Sequence, residues 1–403
     1  MYRYAGDLAA GVDVPDDPRA SQEEQYYLYG GEFGTMKGAD VLNAWNRVAG
    51  GSDVTVAVFD SGCRLDHEDL AGTLLTDLAY DAASRKPLKD FEAKDQDANG
   101  HGTAVAGLVG AQSGNGKGIA GTGFNARLLP VKVHNPLIGS PDTATVLKGI
   151  SYVANLVRTE RPKGNDFNLR VANMSFISYP GAGEEGDPAL HRAIQDLRAE
   201  GVMTVAAGGD GDGSGNAKTE YGYPSDFPEV VGVTALEQTG RNAPWSDYND
   251  KKDLSAPAVD LATTLADAPD AYGRFSGTSG ASPIVAGVAA LLMTASPDLT
   301  IDEAERVLEG TADEIQDPDN DRRALSGSAG AVNASKAIDS VLPAAVVDVN
   351  DLQLDPIPDQ RYANQALEPD VVLRTADGAR TLVNGQDYAL SYENNVRAGT
   401  ASV

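Results

Sequence analysis

The stretch SGASPIVAGVAALLMTAS at 279–296 constrains the fold more than any other. Small and apolar residues fall on every face of a helix drawn through it, so that helix has no side to offer water and must lie inside the protein. Covering it needs layers on several sides. The runs VTVAVFD (54–60), ARLLPVKV (126–133), LRVANMSF (169–176), GVMTVAAG (201–208) and VVGVTAL (230–236) are apolar and rich in β-branched residues, and they read as buried strands. Between them fall the helical patterns ADVLNAWNRV (39–48), HGTAVAGLVGA (101–111), TATVLKGISYVANLV (143–157) and PALHRAIQDLRAE (188–200). Strands alternating with helices predict an α/β fold with a doubly wound, mostly parallel sheet.

The ends have a different texture. Residues 1–38, with EEQYYLYGGEFG at 23–34, read as an N-terminal arm, and 39–343 as the main domain, closing on the helices TIDEAERVLEGTADEI and NASKAIDSVL. Residues 344–403 carry short alternating strands and the turn signals DG, NG and NN, and read as a separate, cut-short β module.

Charge narrows the partners. With 32 basic against 59 acidic residues the net charge is −27, which repels phosphate and excludes a nucleic-acid partner. Cys63 is the single cysteine, so no intrachain disulfide can form, and it reads as a small buried hydrophobe. No apolar run reaches the length a membrane span needs, and the first residues lack the apolar core of a signal peptide. A monomer is expected. His67, His134 and His191 lack ligand-like spacing and read as surface or satisfied histidines.

Three segments each set a reactive side chain at the end of a strand or helix, where α/β sheets build their sites. VAVFDSG puts Asp60 at a strand end, NGHGTAVAG puts His101 at a helix start, and SGTSGASP puts Ser279 at the N-terminus of the apolar helix. A carboxylate, an imidazole and a hydroxyl are what nucleophilic acyl transfer needs, and free N–H groups at a helix start favour a developing anion. The order Asp, His, Ser is that of subtilisin.

On these residues the chain resembles the subtilisin-like serine proteases over about 13–340. The likeness is carried by DSG at 60–62, HGT at 101–103, NMS at 173–175 and GTSGASP at 277–283, supported by GIAGTGFNARL at 118–128 and YPSDFPEVVGVTAL at 223–236. DDPRASQEEQYYL at 16–28 is similar to the arm of the kexin-like branch, and about 350–403 resembles Ig-like repeats of bacterial surface proteins.

The resemblance implies a three-layer subtilisin-like fold followed by a truncated Ig-like module, and a secreted or wall-associated endopeptidase acting on proteins or peptides. It implies Asp60, His101 and Ser279 as the triad. Ser175, Phe176, Ala207 and Gly208 would line the bound peptide, by strand addition. Structural calcium is implied as well, held by Asp69, Asn115, the backbone of Gln112, Lys117 and Ile119, and Asp17, since hard oxygen ligands suit that ion. DQDANG at 95–100 imitates half an EF-hand loop, but its twelfth position is Ala106, so it is rejected.

One departure stands out. VAAGGDG at 205–211 has Gly209 where the family carries an Asn whose amide stabilises the tetrahedral oxyanion. The backbone of Ser279 and the hydroxyl of Thr278 remain as expected donors, and Asp210 would oppose the anion if turned inward. The expectation is a slow enzyme that an Asn at 209 would speed up. The alternative is a weakened scaffold that mainly binds peptide.

Overall fold

The computed structural model describes residues 15–48, 53–163, 167–180, 185–315, 330–342, 352–355, 371–375 and 381–382. The chain divides into two compact units at Leu342. In the second unit the described residues form a small antiparallel sheet of Leu352–Leu354, Leu373–Thr375 and Thr381–Leu382. The remainder of 344–403, including most of the Ig-like resemblance, lies outside the described residues.

The first unit is built on an eight-stranded sheet. Its centre is β1 (Thr55–Asp60), flanked in parallel by β4 (Arg127–Lys132) and β7 (Leu169–Met174). Beyond β7 follow β8 (Met203–Ala207), β9 (Val230–Leu236) and β10 (Leu254–Pro257), all parallel. On the far side β2 (Tyr80–Asp81) runs parallel to β4, and β3 (Lys86–Pro87) closes the edge antiparallel to β2. Strands buried on both faces explain why these segments read as continuous apolar runs.

Helix α3 (His101–Gly110) and α6 (Thr278–Ala295) cover one face, and α4 (Thr143–Glu160) and α5 (Pro188–Ala199) pack together on the other. Asp142 caps α4, its carboxylate accepting from Thr145 N–H at 2.8 Å, and Asp187 caps α5 ahead of Pro188. The helix that constrained the fold, α6, packs against α3 and against β7, β8, β9 and β10. It is 18 residues with a mean hydropathy of 1.4, long and apolar enough to cross a membrane, which corrects the reading that no run reaches that length. Its burial inside the unit marks it as a core helix.

The segment 15–38 is less peripheral than an arm. Tyr26, Tyr27 and Tyr29 are buried. Tyr26 Oη donates to Val259 O at 2.9 Å and Tyr27 Oη to Ala262 O at 2.8 Å, so the tyrosine tips find partners inside the body. Helix α1 is Val41–Trp45, shorter than the 39–48 pattern.

Candidate active site

Asp60 ends the central strand β1, and His101 opens α3 after Gly100, whose φ of 83° only glycine adopts freely. His101 Nδ1 lies 2.7 Å from Asp60 Oδ1, and the same oxygen accepts Ser61 N–H at 2.7 Å. Ser279 is the second residue of α6, where a backbone N–H has no acceptor within the helix. Its Oγ donates to Ser175 O at 3.1 Å, and no hydrogen bond joins it to the imidazole. Such contacts are commonly loose without substrate and tighten in the complex.

Burial alone would lower the pKa of His101, but the charge and hydrogen bond of Asp60 reverse this, with smaller help from Asp97 and Asp210, and the net shift is upward. A base must be neutral, so activity should rise with pH through a midpoint above 6.5, the ordinary imidazole value. Asp210→Asn removes one of the charges holding the proton on. We expect the acid limb of its kcat/KM profile to move to lower pH; an unmoved limb would contradict this field.

Sequence reasoning missed Asp97. Its buried carboxylate accepts from Ser61 Oγ at 2.6 Å, Gly100 N–H at 3.0 Å, Thr103 N–H at 2.7 Å and Thr103 Oγ1 at 2.6 Å. It therefore pins the start of α3 to the end of β1, and the half-EF-hand imitation is this anchor. The signal available was an Asp three residues before Gly-His-Gly-Thr. His134, read as a surface or satisfied histidine, is half-buried and within reach of the Asp60 and His101 charges; burial lowers its pKa. It opens a hairpin, β5 (His134–Asn135) with β6 (Ser140–Pro141). His67 and His191 are satisfied by Ala271 O and Glu229 at 2.9 and 2.7 Å. Cys63 is buried with its thiol pKa pushed up, as a small hydrophobe should be.

The expected oxyanion donors need correction. Gly209 N–H donates to Thr278 Oγ1 at 3.0 Å, and that hydroxyl donates onward to Asp210 Oδ1 at 2.7 Å, so both protons are already committed. Asp210 also accepts Thr278 N–H at 2.7 Å: its carboxylate does turn toward the start of α6. Nor does Gly209 leave a gap. Its φ is 111°, and a Cβ there would meet Asp247 Oδ2 and Tyr179 Oη, each at 2.2 Å. An Asn at 209 would have to displace that pair, so the expected gain in rate is withdrawn.

Of the expected peptide-lining residues, Ser175 is buried and tied to Ser279, its Oγ donating to Ser279 O at 3.0 Å. Phe176 packs onto the main apolar core. Ala207 ends β8, and Gly208 N–H is spent on Val233 O at 2.8 Å.

The expected calcium ligands gather in part. Asp69 is fully buried; Asn115 Nδ2 donates to its Oδ1 at 2.9 Å and Ile119 N–H to its Oδ2 at 2.8 Å. Asp17, also buried, accepts from Gly114 N–H at 2.8 Å and Asn115 N–H at 3.0 Å. Lys117 N–H closes onto Asn115 Oδ1 at 2.8 Å, and Gln112 N–H onto Asp69 O at 2.8 Å. Burial, with the Asp17 charge adding, pushes Asp69 up to about 6, and burial raises Asp17 too. Two buried carboxylates from separate segments, both turned onto the 114–119 loop and neither paired with a cation among the described residues, fit a hard divalent ion in charge and ligand type. No cluster of three or more His, Cys, Asp or Glu exists among the described residues, so amide or backbone oxygens would complete the shell.

Comparison with known proteins agrees with this geometry. A family model described as the subtilase family, Peptidase_S8, matches residues 51–331. The chain is 30% identical over 325 residues to thermitase of Thermoactinomyces vulgaris, covering 81% of this chain and 99% of that one. It is 33% identical over 263 residues to an intracellular serine protease of Paenibacillus polymyxa, covering 64% and 72% of the two chains. Among solved structures, a protease of Pseudoalteromonas arctica superposes with a TM-score of 0.66 at 27% identity, covering 81% of this chain and 99% of that one. The chain belongs to the subtilase family and is a subtilisin-like serine endopeptidase.

Proposed function

We propose that this peptidase cleaves peptide bonds through Asp60, His101 and Ser279, and that the 2.7 Å contact between Asp60 and His101 beside the head of α6 carries the assignment. Ser279 Oγ attacks the scissile carbonyl, Nε2 of His101 takes its proton and later gives it to the leaving amine, and Asp60 holds the tautomer and stabilises the imidazolium. The N–H of Ser279 faces the oxyanion. With Thr278 Oγ1 and Gly209 N–H committed elsewhere and Asp210 nearby, turnover is slow: loss of one such donor costs about 10²–10³ in kcat. The peptide lies along Ser175 and Phe176 on one side and Ala207 and Gly208 on the other, adding a strand. A fluorophosphonate probe tests the assignment, since labelling that vanishes in Ser279→Ala is expected. Folded protein left unlabelled would instead support a scaffold that only binds peptide.

Asp69, Asp17 and Asn115 hold a structural calcium ion in the same proposal, a role outside the chemistry. A cation bound to the native state stabilises it by about 2.7 kcal/mol at a hundredfold excess over Kd. EDTA should therefore lower Tm, and Asp69→Asn should abolish the EDTA response; a wild-type Tm indifferent to exhaustive chelation argues against the ion. Extracellular residence, on the likeness of 350–403 to bacterial surface repeats, completes the proposal.

A further inference from the structure

The side chain on the acyl side of a scissile bond must enter between the two segments that flank the nucleophile. One runs from Ser175 to Tyr179 and is tied to Ser279 by the paired bonds of Ser175. The other ends β8 and is tied to Thr278 by Gly209 N–H. In this structure protein already fills the space between them. A Cβ on Gly222 would lie 2.4 Å from Ile177 Cδ1 and 3.1 Å from Tyr179 Cε1, and one on Gly209 would lie 2.2 Å from Tyr179 Oη. The period of two in extended chain explains the pairing: Phe176 turns to the core, and Ile177 and Tyr179 share the opposite face.

Tyr179 is held there firmly. Its Oη donates to the buried carboxylate of Asp247, and Lys218 Nζ sits 4.0 Å above its ring. Lys218 N–H donates to the other oxygen of Asp247 at 2.5 Å. Behind the segment, Ser178 N–H donates to Tyr223 O at 2.8 Å and Tyr223 N–H to Ser178 O at 2.9 Å. Tyr179 also forms part of the wall of a cavity of about 840 Å³ bordered by Glu185, Lys218, Tyr223 and Asp226. It thus stands between Gly209, beside the nucleophile, and room for a large side chain.

Resting on the peptidase reading above, we propose that Ile177 and Tyr179 close the acyl-side pocket and restrict cleavage to bonds that follow a residue with a small side chain, glycine or alanine. A phenylalanine there would have to push Tyr179 out and leave the buried Asp247 carboxylate without its hydroxyl partner. Pocket misfits of one methylene are worth about 10–200-fold, and this misfit is larger.

The test compares kcat/KM on peptide anilides that differ only in Ala or Phe before the scissile bond. The wild type should prefer Ala by about 100-fold or more. Ile177→Gly with Tyr179→Ala should raise the Phe-to-Ala ratio at least tenfold, and Tyr179→Phe, which keeps the ring but frees it from Asp247, should raise the ratio by less. A wild type that cleaves the Phe peptide as well as the Ala peptide overturns the proposal without needing any variant. So does a folded, probe-labelled double variant with an unchanged ratio. Absence of both cleavage and fluorophosphonate labelling in the wild type overturns the peptidase reading itself, and the proposal with it.

Discussion

Ser279→Ala should lower kcat by about 10³–10⁴-fold while leaving the fold intact. Loss of the nucleophile in subtilisin costs about 10⁶, and the proposed loss of an oxyanion donor would lower the starting rate by about 10²–10³, so the measurable drop is the quotient. The fold should survive because the Ser279 hydroxyl makes one hydrogen bond among the described residues, to Ser175 O at 3.1 Å, and sits partly exposed at a helix start. Single-turnover kinetics on a peptide anilide, alongside a thermal melt, check both halves. A variant that melts with the wild type and still cleaves at more than a tenth of its rate would remove Ser279 from the mechanism.

The largest effect on stability should come from Lys252→Met. Lys252 Nζ lies 2.6 Å from Asp226 Oδ1 and 2.7 Å from Ser225 Oγ, with side chains 1% and 0% exposed for the ion pair. Burial lowers the lysine pKa, so the neighbouring carboxylate must hold the charge in place. Removing one partner of such a pair typically costs about 3–5 kcal/mol, because the other charge stays buried and unpaired. Adding Asp226→Asn to Lys252→Met, which removes the second charge but keeps an acceptor oxygen for Gly222 N–H and Asn249 Nδ2, should recover part of that loss. Asp226 Oδ2 also accepts Gly222 N–H at 2.7 Å and Asn249 Nδ2 at 3.0 Å, so the damage should centre on the loop that backs Ile177 and Tyr179. Urea unfolding gives the numbers; a single variant within about 1 kcal/mol of wild type would mean the pair is solvated in solution.

What was legible in the sequence follows from how far each signal reaches. The five central strands and α3, α4, α5 and α6 declare themselves by local period and apolar content, and each lies within a few residues of its pattern. The short strands did not: β11 (Leu261–Thr264) pairs with β12 (Tyr272–Phe275) over four residues each, too short and too mixed for alternation to stand out. Helix α1 begins two residues inside its pattern because the residue before it, Asp40, takes φ 55°. At the site, Asp60, His101 and Ser279 were marked by glycine-rich signatures around them. Tyr179 and Asp247 were not, since their partnership joins residues 68 positions apart and depends on which side of an extended segment faces Gly209. Reading Gly209 as a loss was natural from sequence alone; the structure shows its space taken by other side chains.

The buried tyrosines near the start of the chain bear on the order in which the molecule can be completed. Tyr26 reaches an acceptor 233 residues away and Tyr27 one 235 residues away, while Gln25 reaches Ala120 at a separation of 95. Contacts that distant close large loops before they return any stabilisation, which slows folding. A ribosome that has passed β1 has therefore released tyrosines whose acceptors do not yet exist, and they must wait exposed until about residue 262 emerges. Ser279 emerges shortly afterwards, so the head of α6 and the burial of the first segment should be completed close together in time.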